Sequence, residues 1–319
     1  MTARGQFDLV GHSLIRYEEL VIDPLVRIEN WIVPPEDPQD EWTRTLMKMV
    51  GDWRAVLRST YIRWAMAING LHVAASKYKE EAEPKKFTVS SIRAARDGTA
   101  RTEIIAEYSF KDAADAHLKI QPMLCAHGFI DIYAGLEEMI FAMYRIYWIA
   151  NPDDLIKGTE FAKLRKLRRA ASANEVPKAE WDNAIAARIN QWQRKKLYDG
   201  LDKVFLGFCQ NTSLKAPAGY ISTSPDTWAE SIAGVSLIRN LLMHGENVVP
   251  EDLETFCSKP HSLGFRFVAG ELLRLTILDL QLLEEFCDAL LRALNLSLVE
   301  LARPTVRREA VARLQDDTK

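Results

Sequence analysis

Arg239, Asn240 and His244 are the residues of this chain whose types and spacing could do chemistry. Histidine titrates near neutral pH and can move a proton to or from a ribose oxygen. Arginine is permanently charged and can stabilise the negative charge that develops on phosphorus, while asparagine can hold the histidine ring or a phosphate oxygen. Together they supply the groups that attack by a ribose 2′-hydroxyl needs, without a metal ion.

One predicted helix positions these three side chains. Ser224 suits the N-cap and Pro225 the first helical position, and Gly245 can adopt the left-handed geometry that ends a helix. Apolar residues recur at helical spacing and predict the core face: Trp228, Ile232, Val235, Ile238 and Leu242.

The opposite side of this helix is small and polar. Asn240 and His244 are one turn apart and point the same way, with Arg239 on the flank. Ala233 and Ser236 share the sector, and Ile232 and Met243 border it. Such a face allows a second helix or a ligand to approach closely.

The run from Arg239 to His244 reads R-N-x-x-x-H and is followed by Gly245. It resembles the signature of the HEPN superfamily (higher eukaryotes and prokaryotes nucleotide-binding domains), although the match covers one helix only. The resemblance implies an all-helical domain and a metal-independent endoribonuclease, a toxin or antiphage defence effector that leaves 2′,3′-cyclic phosphate ends. It implies Arg239, Asn240 and His244 as catalytic residues, contributed by both chains of a homodimer, and an antitoxin or another regulatory partner.

Two other functions fit the same residues. A non-catalytic helical module would use this face for nucleotide or RNA binding or for dimerisation. A purely structural helical protein would carry the motif by chance, with solvated Arg and His side chains. Only the ribonuclease predicts RNA cleavage in EDTA.

Residues 151–196 are rich in basic side chains, eleven in all, and Trp181 and Trp192 lie among them. This segment is predicted to be an insertion that contacts the RNA backbone. A helical hairpin with solvated basic faces would have the same composition. The predicted RNA-binding residues are Lys163, Arg165, Lys166, Arg168, Arg169, Arg194, Lys195 and Lys196.

A nearly apolar segment from Gly128 to Pro152 predicts a second, deeply buried helix. It resembles the first helix of many HEPN domains in character only. Glu137 or Glu138 would then orient the catalytic arginine, whereas a plain surface acid pair is the alternative.

Composition predicts an ordinary globular protein. The 319 residues are 48% hydrophobic and 27% charged, with a net charge of −3, so any nucleic-acid binding must use a local patch. Four scattered cysteines fit a reducing compartment, and no apolar signal core or membrane span is found, so the cytoplasm is expected. No cofactor motif is present, and Cys125-x-His127 with Cys257-x3-His261 is not a usual zinc spacing, so neither a cofactor nor a metal is expected.

Helical periodicity predicts an all-α multi-helix bundle. Residues 1–125 should form a helical N-terminal region that docks a partner, senses a trigger or joins the same core. Residues 126–301 should form the HEPN-like domain, and residues 302–319 a frayed, charged tail. Individual helices are expected over 5–33 (one or two, divided at Pro24), 40–78, 111–122, 197–210 and 267–301. Residues 87–110 suit either strands around Asp97-Gly98 or a helix, and we expect the helix.

Overall fold

Two long helices form the scaffold of this computed structural model, which describes residues 30–80 and 85–316. Helices α1 (Glu41–Glu80) and α2 (Phe110–Ala150) have 40 and 41 residues and pack against each other. At about 1.5 Å per residue, each is about 60 Å long. The helices predicted over residues 5–33 fall mostly on residues 1–29, which lie outside the described residues.

The remaining helices pack around this pair. They are α3 (Ala162–Ser172), α4 (Lys178–Lys196), α5 (Leu201–Thr212), α6 (Pro225–His244), α7 (Glu251–Cys257), α8 (Ile277–Ala302) and α9 (Pro304–Asp316). About 68% of the described residues are helical, which confirms the all-α multi-helix fold. Within the described ranges, no helix is both long and apolar enough to cross a membrane.

A two-stranded antiparallel sheet connects α1 to α2. Strands β1 (Lys86–Ala94) and β2 (Ala100–Ser109) pair from Lys86 opposite Ser109 to Ala94 opposite Ala100. The helix expected over residues 87–110 is therefore wrong. Asp97-Gly98 makes the turn, because Gly98 has a φ of 80° and the Asp97 carboxylate accepts a hydrogen bond from the Thr99 amide at 3.0 Å.

Several helix boundaries also differ from the expected ones. Helix α2 continues through Pro122, since packing along its length outweighs one missing backbone hydrogen bond. Helix α8 begins at Ile277 rather than at residue 267, with Thr276 as its N-cap. Pro304 ends α8 as expected, but it also begins α9 within the predicted tail.

One hydrophobic core joins both halves of the sequence. It includes Leu46 of α1, Leu136 of α2, Ile238 of α6 and Leu294 of α8, all of them buried. The domain boundary predicted between residues 125 and 126 lies inside α2. Helix α1 thus belongs to the same core as the helix that carries the candidate chemistry.

A buried ion pair connects α1 to α8. The guanidinium of Arg54, whose side chain is 1% exposed, donates to both carboxylate oxygens of Asp288 at 3.0 Å. Arg58 donates to Asp288 at 2.8 Å and to Glu284 at 3.3 Å. Burial raises the pKa of Glu284, and the charge of Arg58 partly opposes this effect. These groups fix the register of the two helices, because each charge depends on a partner across the interface.

Candidate functional site

Helix α6 begins and ends where the sequence predicted. The Ser224 hydroxyl accepts from the Thr227 amide at 3.3 Å, and the Thr227 hydroxyl accepts from the Ser224 amide at 2.8 Å. This reciprocal pair satisfies two of the free amides at the start of the helix. Gly245 ends the helix with a φ of 72°.

The apolar face of α6 is the core face, as predicted. Trp228, Ile232, Val235 and Ile238 are buried, while Leu242 is half-buried. Ile232 was also expected to border the small polar face, where a partner would bury it. That expectation is wrong, because Ile232 is fully buried in the protein's own core. Met243, the other bordering residue, is 53% exposed.

Two neighbours fix the guanidinium of Arg239. It lies over the ring of Tyr133 on α2, with its central carbon 5.4 Å from the ring centroid. It also donates a hydrogen bond of 2.9 Å to the side-chain oxygen of Asn240. A cation over an aromatic face gains electrostatic attraction and loses side-chain freedom. Arg239 is therefore pre-oriented, with its half-buried side chain at the edge of the core.

Tyr133 is itself anchored to α6. Its hydroxyl is 3.0 Å from that of Ser236, whose own proton is donated to the carbonyl of Ile232 at 2.7 Å. Tyr133 is therefore the donor in the first of these bonds. Burial raises the pKa of Tyr133, and the positive charge of Arg239 partly opposes this effect.

Two acidic side chains interact electrostatically with Tyr133, and one of them also with Arg239. Burial raises the pKa of Glu137 on α2, and the positive charge of Arg239 partly lowers it again. The charges of Glu137 and of Asp202, in the first turn of α5, both raise the pKa of Tyr133. Glu137 is half-buried and Glu138 is exposed, so Glu137 is the acid that faces Arg239.

Asn240 and His244 are exposed on the outer side of the last turns of α6. The amide oxygen of Asn240 accepts from Arg239, so the arginine and not the histidine is its partner in this structure. The imidazole of His244 remains accessible at the end of the helix. The structure thus brings Arg239 and Asn240 into contact, and it leaves His244 exposed in the last turn of the same helix.

The predicted RNA-binding residues divide into two groups. On α3, Arg165 donates to the carbonyls of Ile156 and Gly158 at 2.7 and 2.5 Å, and Arg168 pairs with Asp153. These two cations hold the segment before α3 in place. Lys163, Lys166 and Arg169 on the same helix are exposed.

The second group lies in the last turn of α4. Arg194 and Lys195 are exposed, and Lys196 forms an ion pair of 2.6 Å with Asp199.

The tryptophans of this segment belong to the core and not to a nucleic-acid surface. Trp192 packs on Tyr144 with ring centroids 4.4 Å apart, and it also contacts Phe141 and Trp148. Trp181 is half-buried and packs against the same core. Their regular placement among basic residues therefore reflects how α4 is fixed to α2.

Tyr133 and Asp202 are the site residues that sequence reasoning missed. Tyr133 could have been found from the candidate acid Glu137, because it precedes Glu137 by four positions and so shares a helix face with it. Asp202 had no such signal, because its proximity depends on how α5 packs against α6.

Comparison with known proteins adds no assignment. No protein-family model, curated protein sequence or solved structure matches this chain. In the described part of the chain, no three His, Cys, Asp or Glu side chains are grouped as metal ligands would be.

Gly234 allows α7 to pack closely against the site helix. A Cβ added at Gly234 would lie 2.1 Å from the ring of Phe256, which is buried. We expect Gly234→Ala to lower the free energy of unfolding by about 1–3 kcal/mol, because the overpacking outweighs the helix propensity of alanine. Denaturant titration measures this change.

Gly70→Ala in α1 is the matched control for Gly234→Ala. A Cβ at Gly70 would meet nothing within 4 Å, so this variant should be as stable as the parent protein or up to about 1 kcal/mol more stable. Equal stability of the two variants would contradict the close packing of α6 and α7.

Proposed function

We propose that this chain is a metal-independent endoribonuclease of the HEPN type, with Arg239, Asn240 and His244 as its catalytic residues. The observation that carries the proposal is a guanidinium held in place on the helix that also presents an accessible imidazole: Arg239 lies over Tyr133, and His244 is exposed about one and a half turns further along α6. The resemblance of R-N-x-x-x-H to the HEPN signature supports the same chemistry. It also supports a toxin or defence role under the control of a partner.

The proposed reaction is an internal transfer at the phosphate. His244 removes the proton of a ribose 2′-hydroxyl, and the 2′-oxygen forms a bond to the adjacent phosphorus. The bond from phosphorus to the 5′-oxygen breaks, and that oxygen takes a proton from a second histidine. The products end in a 2′,3′-cyclic phosphate and a 5′-hydroxyl. Arg239 stabilises the charge on the phosphate oxygens during the transfer.

Tyr133 and Glu137 act as positioning residues in this proposal. The aromatic face limits the directions in which Arg239 can point, and the carboxylate favours its position at the edge of α2. Asn240 uses its oxygen for Arg239, which leaves its amide hydrogens for a phosphate oxygen.

A second histidine is needed because one helix offers one set of groups. A homodimer around a two-fold axis near the 233–244 face would bring two sets to one phosphate. Ala233, Asn240, Met243 and His244 are all exposed on this side, which leaves room for a second copy. Ser236 is less suited to contact a partner, because it already bonds to Tyr133.

Ala233→Glu should separate this dimer. A charged side chain at an exposed, small position would clash with its symmetry copy, while the monomer would remain folded. Light scattering at micromolar concentration should show the mass of a dimer for the parent protein and of a monomer for the variant.

Ala187→Glu on the exposed side of α4 is the control for charge alone, and it should remain dimeric. A parent protein that is monomeric and still cuts RNA would contradict the shared site.

Incubation of total RNA with the pure protein in EDTA tests the proposed function. The ribonuclease should cut this RNA and spare a fully 2′-O-methylated RNA, because the methyl group removes the attacking hydroxyl. Binding without cleavage would favour the alternative, a non-catalytic module for RNA or nucleotides. Cleavage of the methylated RNA would exclude the proposed reaction.

A further inference from the structure

The short loop between α4 and α5 presents an aromatic side chain to solvent. Tyr198 is 91% exposed and its neighbour Leu197 is 50% exposed. Most of the other aromatic residues in this half of the chain are packed in the core or against it, including Trp192, Phe205 and Trp228. A tyrosine ring left in water offers a flat surface of the kind that a base can stack on.

The backbone of this loop is ordered by its own contacts. The backbone amide of Leu197 donates to the carbonyl of Gln193 at 3.0 Å, and the backbone amide of Asp199 donates to the carbonyl of Lys196 at 3.1 Å. The side chains of Lys196 and Asp199 close the turn with an ion pair of 2.6 Å. Tyr198 is thus held outward by a defined turn.

The loop leads directly into a helix that packs against the site helix. Helix α5 starts at Leu201 and packs against α6. Asp202 in its first turn acts electrostatically on Tyr133, the residue that lies under Arg239. Asp202 follows Tyr198 by four positions, a span of at most about 14 Å. An RNA strand bound at Tyr198 would therefore start close to the helix pair α5–α6.

Two basic side chains lie shortly before Tyr198 in the sequence. Arg194 and Lys195 are exposed in the turn of α4 just before the loop. Within residues 85–316, neither side chain is held by a hydrogen bond or an ion pair, in contrast to Arg165 and Arg168 on α3. Two unpaired cations next to an exposed ring provide phosphate contacts and a stacking surface together.

We propose that Tyr198, Arg194 and Lys195 form a binding site for single-stranded RNA, in which an unpaired base stacks on Tyr198 and the two cations contact phosphates. Bases inside a duplex are already stacked on each other, so a protruding ring cannot reach their faces. The site selects unpaired RNA and leads it to the edge of α6. Only this last step rests on the proposed function.

Binding measurements on a His244→Ala protein separate this site from catalysis. Fluorescence anisotropy would compare a labelled single-stranded RNA with a duplex of the same sequence. Tyr198→Ala should weaken binding of the single strand about tenfold, whereas Tyr198→Phe should bind as the parent does, because the ring supplies the stacking. The duplex should bind more weakly and should not respond to either change.

A salt series tests the two cations. Arg194→Gln with Lys195→Gln should lower the slope of log K against log salt by about 1.4, because each lost phosphate contact removes about 0.7. Lys111→Gln with Lys119→Gln, two exposed positions on α2, is the charge-matched control and should leave the slope unchanged.

Unchanged binding in Tyr198→Ala would overturn the proposal. A second result would also contradict the proposal: Lys163→Gln with Lys166→Gln lowers the salt slope, and Arg194→Gln with Lys195→Gln does not. The RNA would then bind along α3. The outcomes distinguish the two proposals: cleavage in EDTA with no effect of Tyr198 would remove this site alone. Tyr198-dependent binding without any cleavage would remove the ribonuclease alone.

Discussion

His244→Ala should lower the rate of RNA cleavage by about 10²–10⁴ and leave the fold intact, because a general base contributes a factor of this size. The imidazole is exposed at the end of α6, so its removal leaves no buried cavity. Initial rates on total RNA in EDTA measure the loss, and circular dichroism with denaturant titration checks the fold.

His72→Ala is the matched control. His72 is exposed on α1, outside the candidate site, so its replacement should leave both rate and stability unchanged. Full activity in His244→Ala would contradict the assignment of the base.

Replacement of Arg239 should also lower the rate of RNA cleavage, through the loss of a positive charge rather than of a general base. Arg239→Ala removes the charge that stabilises the transferring phosphate in the proposed reaction, an effect of about 10²–10³ on the rate. Arg239→Lys keeps the charge but loses the planar group that lies over Tyr133 and bonds to Asn240, so it should recover only part of the rate.

Asp288→Ala should lower the free energy of unfolding by about 3–5 kcal/mol, the second large effect that we expect. It would remove the carboxylate to which the guanidinium of Arg54, whose side chain is 1% exposed, donates from two of its nitrogens. Arg58 would keep its bond to Glu284. Denaturant titration measures the loss.

Two comparisons sharpen this test. Glu285→Ala, at an exposed acid on the same helix, should change stability by no more than about 0.5 kcal/mol. The double variant Arg54→Met with Asp288→Leu should recover part of the loss, because it removes the buried charge of Arg54 together with that of Asp288. A loss below about 1 kcal/mol in Asp288→Ala would mean that water or another group replaces the carboxylate.

Local signals in the sequence predicted the site helix well. Ser224, Pro225 and Gly245 are neighbours of the helix that they begin or end, and the apolar period inside it names the buried face. The residues that position Arg239 could not be read in this way. Tyr133 lies 106 positions from Arg239 along the chain and reaches it through the packing of α2 on α6.

The same reason explains the basic segment and the ion pair. Whether Arg165 is available to RNA depends on two backbone carbonyls, those of Ile156 and Gly158, and composition does not reveal such contacts. Arg54 and Asp288 are 234 positions apart and carry no pattern that pairs them. In residues 86–109 the local signals conflict. Asp97-Gly98 indicates the turn of a hairpin, whereas the surrounding alanines and arginines favour a helix.

The most direct test of the proposed ribonuclease activity is the chemistry of the product ends. Total RNA would be incubated in EDTA with the parent protein and with an Arg239→Ala, His244→Ala double variant, and the fragments analysed by mass spectrometry. The parent should produce 2′,3′-cyclic phosphate and 5′-hydroxyl ends, and the double variant should produce neither. RNA left intact by the parent, or cut to the same ends by the double variant, would contradict a catalytic site on α6.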